Sequence, residues 1–282
     1  YIDNAGTMAL AGDLFPAMEH PELGFPQRAA ADTQGAVSPD DPPADREPAD
    51  DDGDIGGMAP GGDRVSLRLC DADEAMIAAV ASASDRVAVV VQCGSAVMMP
   101  WADSVRALLV SWYPGVEGGR ALADMFTGGA EPGGRLPFAI PTDADHLVPF
   151  DKDATAVVYD LLHGQWKLDA DGHVAQFPFG AGEGYTTFAI GEPETDVGLG
   201  AELSVPVTNV GERSGSTVVF AFGGMPGSSV VRPIRRLIGF ARVNLAAGES
   251  VRVGIDLDWS ALDVRRDGTW WTEPGSYVVT VG

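Results

Sequence analysis

The chain has 282 residues, 45% of them hydrophobic, and 41 acidic against 18 basic side chains give a formal net charge of −23. That is ample material for a packed core, and so negative a surface excludes nucleic acid and anionic membranes as partners. No run of about eighteen apolar residues offers a membrane span, no leader peptide is visible, which points to the cytoplasm, and Cys70 and Cys93 are too few for a disulfide framework.

In chain order, residues 1–31 show no hydrophobic period. Residues 32–54 carry nine carboxylates, four prolines and one Arg. Such a segment cannot bury enough apolar surface to offset its ordering entropy. Residues 1–60 are therefore expected to form a poorly ordered segment with an acidic linker. Asp50, Asp51, Asp52 and Asp54 lack the spacing and the distal Glu of a calcium loop.

Residues 71–84 predict a helix, with Asp71 and Glu74 as a capping box and Met76, Ile77, Val80 and Ala81 as its apolar stripe. Residues 87–91 (VAVVV) read as a buried strand, and residues 106–112 as the next. With one neighbour, the first of these leaves an open edge that invites a partner. Pro114 and Gly115 break the chain. A helix opening at Glu117 follows, with Ala121, Leu122 and Met125 on one face, stopped by Gly128 and Gly129. Residues 135–140 (RLPFAI) are extended. Alternating strands and helices imply a parallel sheet in an α/β layer over residues 61–192. Asp171-Gly172 suggests a tight hairpin.

From about residue 193 the period changes to two. Leu203, Val205 and Val207 alternate with polar positions, as do Val251, Val253, Ile255 and Leu257, and then Tyr277, Val279 and Val281. Turns are expected at Asn209-Val210-Gly211 and Ala247-Gly248. This pattern predicts a β-sandwich over residues 193–282.

Few residues suggest chemistry directly. His20, His146, His163 and His173 are dispersed without metal-ligand spacing. Gly94-Ser95 lacks a nucleophile elbow, and the glycines at 180, 182 and 184 follow a Phe-Pro-Phe turn where a dinucleotide fingerprint would follow a strand. Trp101, Trp112, Trp166, Trp270 and Trp271 offer faces for sugar rings, although packing is the plainer role for most of them. His163 and Trp166, in the loop-rich HGQW segment, are the best exposed candidates.

Two stretches carry a family resemblance: WYPGVEGGRALADMFTGGAEPGGRLPF at 112–138 and FPFGAGEGYTTF at 177–188. Together they resemble the second domain of family 3 glycoside hydrolases, the β-glucosidase-like enzymes. Residues 232–257 and 271–282 resemble the fibronectin type III-like domain that closes many of them. The resemblance implies an α/β plus all-β architecture: a partial α/β sandwich layer with parallel strands, then a fibronectin type III-like β-sandwich. It also implies a β-glucoside or oligosaccharide substrate and no cofactor or metal.

Hydrolysis in that family needs an Asp from a TIM-type barrel and a Glu acid/base. These residues encode no such barrel, which takes around 200 residues or more. The acid/base loop matches at Pro60-Gly61-Gly62-Asp63-Arg64, followed by Ser66-Leu67-Arg68-Leu69. Asp63 and Arg64 are kept, but the Glu position falls on Pro60 or Gly61, and neither transfers a proton. No catalytic residue is assigned. Asp63, Arg64, His163 and Trp166 are the candidate substrate-binding residues, with a surface ion pair as the plainer role of Asp63 and Arg64. The chain is expected to be inactive alone and to associate with a separately encoded barrel or a second copy. The alternatives are a non-enzymatic carbohydrate- or protein-binding module and a degenerate gene remnant.

Overall fold

The computed structural model describes residues 66–151, 154–195 and 202–282. The acidic segment and the loop containing Asp63 and Arg64 lie outside the described residues. The chain divides into two compact units: residues up to 94 with 101–113, and residues 95–100 with 114–282.

In the first unit, helix α1 (Asp71–Ala83) precedes strands β1 (Ala88–Val91) and β2 (Ala107–Val110). The strands pair in parallel, in register from Ala88↔Ala107 to Val91↔Val110. β-Branched Val89 and Val91 turn one face inward and are buried. Among the described residues β1 pairs with β2 alone.

The capping box expected at α1 does not form. Cys70 occupies the N-cap in extended geometry without a side-chain bond. Glu74 pairs instead with Arg68, accepting from its Nε at 3.0 Å. Three carboxylates remain in the first turn, where the helix dipole favours them. The buried line is also rotated from the expected stripe. Asp73 and Ile77, four residues apart, face inward, while Met76 and Val80 are exposed. In a helix this rich in Ala, the side that meets the unit decides burial more than the count of apolar residues does.

The first helix of the second unit is α2 (Gly118–Phe126), whose buried side carries Leu122. It ends at Gly128, which takes φ +77°, a conformation that costs Gly little. The extended segment expected at 135–140 narrows to β3 (Ile140–Pro141). Two further bonds lengthen it, from Leu136 N–H to Ala181 O and from Gly180 N–H to Leu136 O, both 2.8 Å.

Asp171-Gly172 is not a hairpin. Residues Gln165–Asp171 form helix α3, and Gly172, at φ +74°, caps its C-terminus. His173 N–H closes the cap on Leu168 O at 2.9 Å. Both structures need a left-handed Gly, so the dipeptide alone does not separate them. Fully buried Leu168 and the Lys167–Asp171 pair at 2.6 Å favour the helix. Strand β4 (Ala175–Phe177) then pairs antiparallel with β3.

The sandwich follows the period-two pattern. Strands β5 (Phe188–Ile190), β6 (Glu194–Thr195), β7 (Glu202–Asn209), β8 (Gly215–Gly224), β9 (Arg236–Leu245) and β10 (Ser250–Asp256) run antiparallel to their partners. A two-stranded hairpin, β11 (Val264–Arg266) with β12 (Thr269–Trp271), precedes the last strand, β13 (Val278–Val281). One sheet has the order β10-β7-β5, with β6 also on β7; the other has the order β13-β8-β9. Leu203, Val205, Val207, Val219, Ile238 and Ile255 form the core between them. Asn209 is more than a turn residue. Fully buried, its amide donates to Arg213 O at 2.7 Å and Leu245 O at 3.1 Å and accepts from Thr186 Oγ1 at 2.7 Å.

Candidate functional site

The sequence places His163 and Trp166 at the start of α3, and the fold brings them together. Trp166 N–H bonds to His163 O at 3.1 Å. Their rings meet edge to face with centroids 5.3 Å apart. The guanidinium of Arg236, from β9, lies 5.2 Å from the Trp166 centroid, within range of a cation–π attraction. His163 is exposed and Trp166 half-buried. The cluster thus combines an aromatic ring, a cation and an imidazole that can donate or accept. These suit the apolar face and hydroxyl rim of a sugar, and they include no proton-transferring carboxylate.

The helix is held firmly. Asp169 receives both Nε and Nη2 of Arg235, at 2.8 and 3.1 Å, and Gln165 Nε2 donates to Asp169 Oδ1 at 2.6 Å. This bidentate pair keeps the Arg235 guanidinium charged more firmly than usual. Asp169 is therefore an anchor and not a free acid. Gln165 Oε1 accepts from Phe179 N–H at 3.2 Å. Phe179 sets its ring edge against Phe220 and Phe222 of β8, at 5.6 and 5.9 Å. The FPFG turn is a structural plug between α3 and the sandwich.

A second feature escaped the sequence reading. An open polar cleft of about 540 Å³ is lined by Glu131, Tyr185, Arg213, Ser216 and Asn244, among others. Glu131 is part of its lining, but both its oxygens are engaged. Oε1 accepts from Tyr185 N–H at 3.0 Å and Oε2 from Ser216 N–H at 2.8 Å. Arg213 donates to Gly128 O at 2.8 Å, and Arg242 to Gly133 O at 3.0 Å and Ser216 Oγ at 2.7 Å. Arg135 reaches Thr217 Oγ1 at 3.1 Å; burial first, then the charge of Arg242, lowers its affinity for its proton. The cleft is a seam that staples the α2–β3 connection to the sandwich. The glycines around Glu131 in GGAEPGG were the available signal, since a carboxylate satisfied by backbone N–H groups needs close chain approach.

Within the sandwich, Arg232 and Glu273 form a buried ion pair at 2.6 Å, with side chains 8% and 6% exposed. The Ser228 hydroxyl, the Ser229 hydroxyl and N–H, and then Arg232 hold the Glu273 carboxyl down to about 2. All its acceptor capacity is spent on the fold.

A family model described as the glycosyl hydrolase family 3 C-terminal domain matches residues 29–185, and a fibronectin type III-like domain model matches residues 217–282. The chain is 36% identical over 235 residues to a β-glucosidase of Rhizobium radiobacter, covering 78% of this chain and 29% of that protein. It is 34% identical over 245 residues to β-glucosidase B of Emericella nidulans, covering 79% and 29% respectively. Among solved structures it resembles DesR, a β-glucosidase from Streptomyces venezuelae in complex with D-glucose, with a TM-score of 0.73 and 31% identity over 79% of this chain and 30% of that one. The chain spans less than a third of the length of these relatives.

Proposed function

Because this chain belongs to glycoside hydrolase family 3, we propose that it is the C-terminal scaffold of a β-glucosidase and is not catalytic by itself. It supplies the α/β layer, the sandwich and part of a sugar-binding rim to a catalytic barrel. The observation that carries this reading is the share of the relatives it matches: 29% of a β-glucosidase, through domain models that are C-terminal and fibronectin-like. Retaining hydrolysis needs two carboxylates roughly 5 Å apart. Pro60 and Gly61 stand where the resemblance puts the acid/base Glu. Asp169, Glu131 and Glu273 are all committed to structural bonds. His163, Trp166 and Arg236 contribute the rim.

The test is turnover of aryl β-glucosides by the purified full chain. No turnover is expected. Hydrolysis that survives purification and disappears on substituting a residue of this chain would overturn the reading. A glucoside with a strongly activated leaving group needs little acid assistance to depart. Such a substrate is expected to be cleaved once a family barrel is supplied.

A further inference from the structure

Residues 154–161 are all exposed and adopt no helix or strand, yet their sequence, ATAVVYDL, is β-branched, aromatic and aliphatic. Val157, Val158, Tyr159 and Leu161 are 49%, 93%, 53% and 45% exposed. Single exposed apolar residues are ordinary, but a contiguous apolar stretch marks an interaction site. The backbone repeats the message. Among the described residues, no N–H or C=O of residues 156–159 has a hydrogen-bond partner. The one charge, Asp160, turns back to accept from Leu162 N–H at 2.8 Å. A strand-forming segment with unpaired backbone groups is suited to adding itself to a partner's surface.

We propose that residues 154–161 are a docking arm for the catalytic barrel, buried against it in extended form. The proposal rests on the scaffold reading above, and two observations select the occupant. The relatives carry more than two thirds of their length outside the matched region. The arm also leads directly, through Leu162, into His163 and Trp166, so docking it would bring the sugar rim to the barrel. The partner chemistry follows from the arm: an apolar groove whose bordering loops supply hydrogen-bond donors and acceptors, since a closed barrel has no sheet edge to extend, with no need for opposite charge.

The test joins the part of the Rhizobium radiobacter β-glucosidase that precedes the matched region to Tyr1 of the full chain. Tethering makes even weak docking intramolecular. Hydrogen exchange of residues 155–161 is compared with that of the full chain alone, and turnover of an activated aryl glucoside is measured in parallel. Exchange slowed about tenfold or more, and restored by Val158→Asp but not by the distant exposed control Val174→Asp, supports the arm. Turnover with an unprotected arm overturns this inference and leaves the scaffold reading standing. A protected arm without turnover does the reverse, and failure of both overturns both. Protection that rises with concentration in the chain alone would assign the arm to a second copy and overturn the proposal.

Discussion

Glu131 Oε2 accepts a hydrogen bond from Ser216 N–H at 2.8 Å, joining positions 85 residues apart. With Oε1 on Tyr185 N–H, one carboxylate fastens the loop after α2 to both the FPFGAGEGY segment and the first residues of β8. Hydrogen bonds to charged groups are among the stronger ones. Glu131→Ala is expected to lower unfolding free energy by about 2 kcal/mol. Glu131→Gln, which keeps one acceptor, should cost less. Denaturant titration measures both, and unchanged stability in the Ala variant would mean that water replaces the carboxylate.

The same clamp explains two glycines. A Cβ on Gly184 or Gly215 would meet the Glu131 carboxylate closer than real Cβ contacts allow. Gly184→Ala and Gly215→Ala should each destabilise by about 1–3 kcal/mol, as overpacking does. In combination with Glu131→Ala, the glycine changes should cost less than they do alone. A double-mutant cycle reads this coupling directly, and strict additivity would dissociate the glycines from the clamp.

Glu273 predicts an acid dependence. Its folded carboxyl is held down to about 2, from an ordinary value of 4.5. A depressed folded value contributes stability above the unfolded value and loses it as pH falls through the folded one. The contribution is therefore complete above about pH 5 and lost between about pH 4.5 and 2. Glu273→Gln should lower the Tm clearly at pH 7, with the gap to the parent protein closing toward pH 2. A gap that does not change with pH would show that the ion pair is not its source.

Residues before the change of period also contact the sandwich. β5, at Phe188–Ile190, pairs with β7, and Phe188 packs on the sandwich core. Phe179 covers Phe220 and Phe222. A fragment of residues 114–282 is therefore expected to unfold at higher denaturant than one of residues 193–282, which should also bind more of an apolar dye. Equal midpoints would show that the sandwich closes without these contacts.

Local pattern was enough for much of the architecture. Val89 and Val91 in a β-branched run, Leu203, Val205 and Val207 in strict alternation, and Gly128 after an amphipathic turn each specify their element through interactions between near neighbours. Asp171-Gly172 shows the limit. A left-handed Gly serves a hairpin and a helix cap alike, and only burial of Leu168 and the Asp169–Arg235 pair decide between them.

What the sequence determined by itself was the order and type of most elements and, through motifs that survive in order, the family resemblance. These depend on periodicity and on residues close together in the chain. The sequence also singled out His163 and Trp166. Only the tertiary structure decided that Arg236 completes their cluster, that Glu131 is a staple and not an acid, that Asp73 and not Met76 faces inward on α1, and that residues 154–161 stand uncovered. Each of these turns on partners tens of residues away, or on the lack of packing over an apolar stretch, and chain-local physics does not encode which distant groups meet.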